Sequence, residues 1–235
     1  MPETNPLDLR SSDDVLADAT TCAALVALLE PSWQDPEKLL RSELGKTPQV
    51  LLATDDDGQL VAFSTWRTET LRVDGMAVAA VYIGLSSVAQ TSKGKGLGRR
   101  VVLGSMKLGY EEALVLHRTL ADPHPCSPLA WGVTSSPVSY QGLVRAFPDF
   151  EPKGTTVSAE VRAMFASLAE AVGSGTPDPD RPYLLRGATT ARYTPGEADR
   201  LDQALQAKPT ALFDTLDSTH GDRLLMVLRH GARPV

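Results

Sequence analysis

Val88-Ala-Gln-Thr-Ser-Lys-Gly-Lys-Gly-Leu-Gly-Arg-Arg100 joins an apolar run, Met76 to Leu85, to an amphipathic stretch that begins near Gly98. The run is rich in Val, Ala and Ile and short for a helix, so it reads as a buried strand. The stretch after it sets Val101, Val102, Ser105, Met106 and Gly109 on one face at helical spacing. A glycine-rich turn between strand and helix is an anion site in outline. Its three glycines let backbone N–H groups approach a phosphate closely, and the helix N-terminus adds partial positive charge. Lys93, Lys95, Arg99 and Arg100 strengthen that attraction.

Upstream, Gln49 to Thr54 and Leu60 to Val73 flank Asp55-Asp56-Asp57-Gly58, and Asp74-Gly75 turns the chain into the Met76 run. Three strands in succession predict an antiparallel meander. Two helices precede it. The first follows Ser12 and carries Val15, Ala19, Cys22, Ala23, Val26 and Leu29; the second starts at Asp35-Pro36 and stops at Gly45. Downstream come a Pro/His loop, a strand from Leu129 to Thr134, and a helix capped by Ser136-Pro137 that buries Tyr140, Leu143, Val144 and Phe147. Past Phe150 lie a helix closed by Gly173, a capping box at Thr194-Pro195-Gly196-Glu197, and an apolar strand within Asp222 to Arg229 that is expected to join the sheet. We expect a single α/β domain over 1–235, with a core over 1–150 and an extension over 151–235 packed on it.

The 235 residues carry a net charge of -6, which argues against a phosphate-backbone partner, so no nucleic acid is expected. Two cysteines, Cys22 and Cys126, and no His at zinc spacing predict neither a disulfide nor a metal site. The amino terminus lacks a signal-peptide layout, and the uncharged stretch Gly75 to Ser92 ends in polar residues, so a cytoplasmic protein that enters no membrane is expected.

The glycines do not fit the common nucleotide motifs. No Gly-x-x-x-x-Gly-Lys-Ser/Thr occurs, and a dinucleotide fingerprint would need glycine where Arg99 or Val101 stands. Lys93-Gly94-Lys95-Gly96-Leu97-Gly98 instead resembles the Arg/Gln-x-x-Gly-x-Gly/Ala motif of the GNAT (GCN5-related) N-acyltransferase superfamily, with apolar Val88 before it. In element order the resemblance runs from Ser12 to Phe150, and in sequence it is concentrated in Val88 to Arg100. It implies a mixed, mostly antiparallel central sheet flanked by helices and splayed between the Met76 and Leu129 strands. It also implies an acyl-CoA co-substrate such as acetyl-CoA, with no metal. Lys93, Gly94, Lys95, Gly96, Leu97, Gly98 and Arg99 would hold the pyrophosphate, and Ser86, Ser87 and Val88 would pair with the pantetheine arm. Lys93 keeps the positive charge of the family's Arg but not its planar fork.

The implied reaction is direct attack of a small-molecule amine on the thioester, with the extension shaping the acceptor side. Tyr140 is the implied general acid, although the family's tyrosine stands where this chain has Leu143, and Tyr140 equally fits the apolar stripe as a core residue. No acidic residue interrupts Met76 to Val88, so the base would be water or a side chain from elsewhere. His117 and His124 could border the acceptor pocket, and Trp66, Trp131, Phe63 and Phe147 could line it, with plain loop or core roles as the alternative for each. A non-catalytic acyl-CoA-binding protein and a carrier-protein-bound donor are the rival readings. A homodimer is among the assemblies expected.

Overall fold

Residues 6–125, 127–147 and 149–229 are described in the computed structural model of the chain. A nine-stranded sheet orders β1 (Leu7–Ser11), β2 (Gln49–Thr54), β3 (Leu60–Val73), β4 (Met76–Val88), β5 (Leu129–Thr134), β9 (Arg223–Leu228), β8 (Leu184–Arg186) and β7 (Thr176–Pro177). The short β6 (Phe150–Glu151) pairs with the carboxyl half of β9, while β8 takes its amino half. Neighbours are antiparallel except β4 and β5, which run parallel over Ala80 to Ile83 and Leu129 to Gly132. The sheet is therefore mixed and mostly antiparallel, as expected. The strand expected within Asp222 to Arg229 joins the sheet: β9 enters directly beside β5 and is buried along its whole length.

Alternation along the strands divides the core between two faces. Val50, Leu52 and Phe63 pack against α1 (Ser12–Ala17), α2 (Ala19–Leu29) and α3 (Pro36–Leu44), whereas Leu51, Trp66 and Val81 meet α4 (Leu97–His117) on the other side. Further helices are α5 (Pro137–Ala146), α6 (Ala159–Val172) and α7 (Pro195–Ala207). The single helix expected after Ser12 is two. Asp18 sits in an extended conformation between them, and its carboxylate accepts from the N–H groups of Thr20 and Thr21, so it ends one helix by capping the next. The edge strand β1 was not expected at all.

Gly109 lets α4 lie close to the sheet. A Cβ there would stand 2.5 Å from Val81 Cγ1 and 2.9 Å from Trp66 Cδ1, both buried. Gly109→Val should therefore destabilise the fold by about 1–3 kcal/mol, read as a lower denaturant midpoint at unchanged slope.

The feature that positions the site is a bulge in β4. Ser64 pairs with Ser86 and Trp66 with Ile83, so Thr65 alone faces both Gly84 and Leu85. An extra residue bends its strand. Pairing of β4 with β5 stops at Ile83 and Gly132, yet the two strands continue to Val88 and Thr134. Beyond the bulge they part, and a cleft of about 1390 Å³ opens between them.

Candidate active site

One end of the cleft is the glycine loop. After a 3-10 turn at Gln90–Ser92, Gly94 and Gly96 take φ of 82° and 80°, and Gly96 becomes the N-cap of α4. The first bond of the helix runs from Arg100 N–H to Gly96 O, so the N–H groups of Leu97, Gly98 and Arg99 have no acceptor within the helix. Among the described residues no side-chain hydrogen bond caps them. Gly98 is needed for packing as well: a Cβ there would come within 2.9 Å of Val88 Cγ2, so the start of α4 rests on the end of β4. Lys93, Gly94, Gly96, Leu97, Gly98 and Arg99 line the cleft, whereas Lys95, expected to bind the cofactor, and Arg100 do not. In this tight turn successive side chains diverge, and Lys95 is exposed to solvent.

The β4 wall follows from strand alternation. Ala89 N–H donates to Val61 O at 2.8 Å, which makes this a hydrogen-bonded pair of the β3–β4 ladder. Ser87 opposite Phe63 is then bonded likewise, while Ser86 and Val88 turn N–H and C=O away from β3 toward the cleft. Of the three expected contacts, Ser86 and Val88 offer free backbone. Ser87 does not, and its hydroxyl donates to Leu28 O at 2.9 Å.

At the apex, where the strands part, stands a residue the sequence did not single out. Glu43 of α3 reaches across so closely that a Cβ on Gly84 would lie 2.0 Å from its Oε1. Only glycine leaves room for the carboxylate. Glu43 is 9% exposed, and among the described residues no hydrogen bond within 3.5 Å reaches Oε1. Burial pushes its pKa up, against the opposing pull of Lys46, Arg67, the Leu85 N–H and the Tyr82 hydroxyl. Burial, reinforced by Glu43, likewise raises the pKa of Tyr82 and keeps it a neutral phenol.

Tyr82 belongs to a cross-strand row. Its ring centroid is 4.7 Å from that of Trp131, and the Arg67 guanidinium lies 4.3 Å above it. Glu69 ties the row together, accepting from Arg67 Nε at 3.1 Å and from Trp131 Nε1 at 3.0 Å. Trp131 thus lines the cleft, while Trp66, Phe63 and Phe147 are fully buried core residues off its wall.

The extension closes the cleft from the other side. Tyr193 stacks on Trp33 at 4.4 Å and accepts from the Ser135 hydroxyl at 2.9 Å. Thr194 caps α7 by accepting from Glu197 N–H, but the Glu197 carboxylate does not complete the expected capping box. It turns to Arg200 and to Lys93 of the loop, 3.9 Å away. Burial lowers the pKa of Lys93, with Arg200 adding to the shift and Glu197 opposing it.

Tyr140, the implied acid, is not on the cleft wall. Its hydroxyl donates to Pro152 O at 2.6 Å and its ring is boxed by Phe150 and Phe213, with burial raising the pKa to about 12. This is the core alternative. Tyr140→Phe should leave turnover unchanged and cost about 1–3 kcal/mol of stability by orphaning the carbonyl, measurable by denaturant titration beside a steady-state assay. His117 and His124 lie away from the cleft: His117 Nδ1 contacts Ser127 Oγ, and His124 N–H bonds Ala77 O at the far end of β4. Asp55 organises its own turn by accepting from Asp57 and Gln59 N–H. Cys126 lies outside the described residues; among them no cluster of His, Cys, Asp or Glu could hold a metal ion, and no helix is long and apolar enough to cross a membrane.

No protein-family model and no curated protein matches the chain. Solved structures do resemble it. A GNAT family N-acetyltransferase, YhbS, from Escherichia coli in complex with CoA is 18% identical over 60% of this chain and 69% of that one, at a TM-score of 0.40. A ribosomal-protein-alanine N-acetyltransferase from Brucella melitensis biovar Abortus 2308 is 18% identical over 47% and 74%, at 0.35. The NatC complex bound to Gag peptide and CoA matches at 12% identity over 96% and 99%, at 0.45.

Proposed function

We propose that this chain is a GNAT-like N-acyltransferase that transfers a short acyl group from coenzyme A to a small amine. The observation that carries this reading is a single continuous cleft. It runs from the uncapped N-terminus of α4, past the free backbone of Ser86 and Val88, to the carboxylate of Glu43. Loop N–H groups, Lys93 and Arg99 would hold the pyrophosphate, and Ser86 and Val88 would pair with the amides of the pantetheine arm.

The thioester would then end at the Gly84 bulge, beside Glu43. An amine must shed a proton as it forms a bond to carbon, and Glu43, with its raised pKa, is placed to accept it. The leaving thiolate, with a thiol pKa of about 8.5, asks for little acid assistance.

Calorimetric titration with acetyl-CoA and with free coenzyme A tests the donor site, and release of coenzyme A in the presence of amines tests transfer. Saturable binding of either, followed by turnover, is expected. Binding without turnover on any amine would leave a CoA-binding module in place of an enzyme. If neither bound, a longer acyl-CoA or a carrier-bound donor would be tested next.

A further inference from the structure

Arg223 begins β9 and is 6% exposed, yet it lines the cleft. Register places it on the Trp131 face: Trp131 pairs with Val227, and side chains alternate back through Leu225 to Arg223. This is the face of Tyr82, Arg67 and Glu43, opposite α4. Arg223 lies three residues along β9 from Met226, the partner of Gly132 at the point of divergence, about 10 Å away.

No carboxylate among the described residues pairs with its guanidinium. One nitrogen donates to the backbone carbonyl of Asp222 at 2.8 Å, and the guanidinium carbon lies 5.9 Å from the Trp33 ring centroid. The Asp222 carboxylate is taken by Arg186 at 2.6 Å and by the N–H groups of Gly187 and Asp217. Glu69 is held by Arg67 and Trp131, and Glu197 by Arg200 and Lys93. Among the described residues no ion pair reaches Arg223. Burial lowers its pKa and neighbouring Arg192 adds to the shift, against the opposing pull of Tyr193, Asp222 and Tyr82. A buried guanidinium without a counter-ion is costly, and a carboxylate that met its planar fork would remove most of that cost.

We infer that the acceptor is an amine that also carries a carboxylate, with Arg223 binding the carboxylate while Glu43 faces the amine. The inference rests on the transferase reading and specifies its substrate class. The amine nitrogen bonds to the thioester carbonyl carbon, the C–S bond breaks, the ammonium proton passes to Glu43, and coenzyme A leaves as the thiolate. The carboxylate is unchanged throughout. Trp33 and Tyr193, stacked beside Arg223, would wall the pocket and shield the ion pair from water.

The experiment supplies acetyl-CoA and compares the common L-amino acids, β-alanine and 4-aminobutyrate with the corresponding carboxamides and decarboxylated amines. At least one acid should exceed its uncharged counterparts in kcat/KM by about 100-fold or more, as expected for a buried charge pair. Arg223→Met should abolish that preference while leaving acetyl-CoA binding by calorimetry within about threefold, which also shows that the variant is folded. Arg223→Lys should keep part of it, and the wild-type ratio tests the idea without any variant. Equal use of acids and amides, an undiminished preference in folded Arg223→Met, or donor binding with no use of any carboxylated amine would each overturn the inference. Failure of coenzyme A to bind would instead remove the transferase reading itself.

Discussion

Glu43→Gln should lower kcat by about 10²- to 10⁴-fold and leave acetyl-CoA affinity unchanged, because the amide fills the same space but accepts no proton. The pH profile separates this from mere disturbance. Wild-type rate should rise with pH through a limb above the ordinary carboxylate range, and the limb should vanish in the variant. Stability should move the opposite way. The folded-state pKa of Glu43 lies above its unfolded value, so its contribution to stability is fully present below the unfolded value and is lost as pH rises through the folded one. At neutral pH the wild type should therefore melt below Glu43→Gln, and the gap should close at acid pH. A variant that is both slower and less stable at neutral pH would remove Glu43 from the role of base.

The second large effect is at the other end of the cleft. Gly96→Val should abolish measurable coenzyme A binding, because a β-branched residue resists a φ of 80° and its methyl groups would stand where the phosphates approach the first N–H groups of α4. Backbone strain alone is controlled by Gly58→Val, at φ of 76° in the Asp55 turn, where no atom lies within 4 Å of a Cβ. Both substitutions carry a comparable penalty of about 1–3 kcal/mol, and only the first should affect the donor. Normal binding by Gly96→Val would mean that the loop does not hold the phosphates.

Local physics made much of this legible in the sequence. Apolar runs bounded by Asp-Gly turns gave β2, β3 and β4 their observed limits, and Pro36, Ser136 and Thr194 marked true helix starts. The site was harder because it is assembled across the chain. Gly84 did carry a signal, since a lone glycine inside an apolar strand marks a bulge or a close approach. Glu43 carried one too: it lies between Leu40 and Leu44 on the buried stripe of α3, where a carboxylate is uncommon. What no local pattern contains is that α3 lies over β4, so the meeting of Glu43 with Gly84 was invisible. Tyr140 shows the converse: its spacing suited a core residue as well as an acid, and only the fold reveals that its hydroxyl meets the carbonyl of Pro152.

The neighbour relation of β5 and β9 also sets an order of assembly during synthesis. Residues 135 to 222 lie between them in sequence, so strands β2 to β5 with α4 emerge from the ribosome long before their ninth partner. Through that interval β5 presents an unpaired edge of Leu-Ala-Trp-Gly-Val-Thr, the kind of surface that recruits other nascent strands. The half that carries the glycine loop can take shape early, whereas the wall bearing Arg223 is complete only once the edge is covered. Covering that edge and completing the cleft wall are thus the same pairing of β9 with β5.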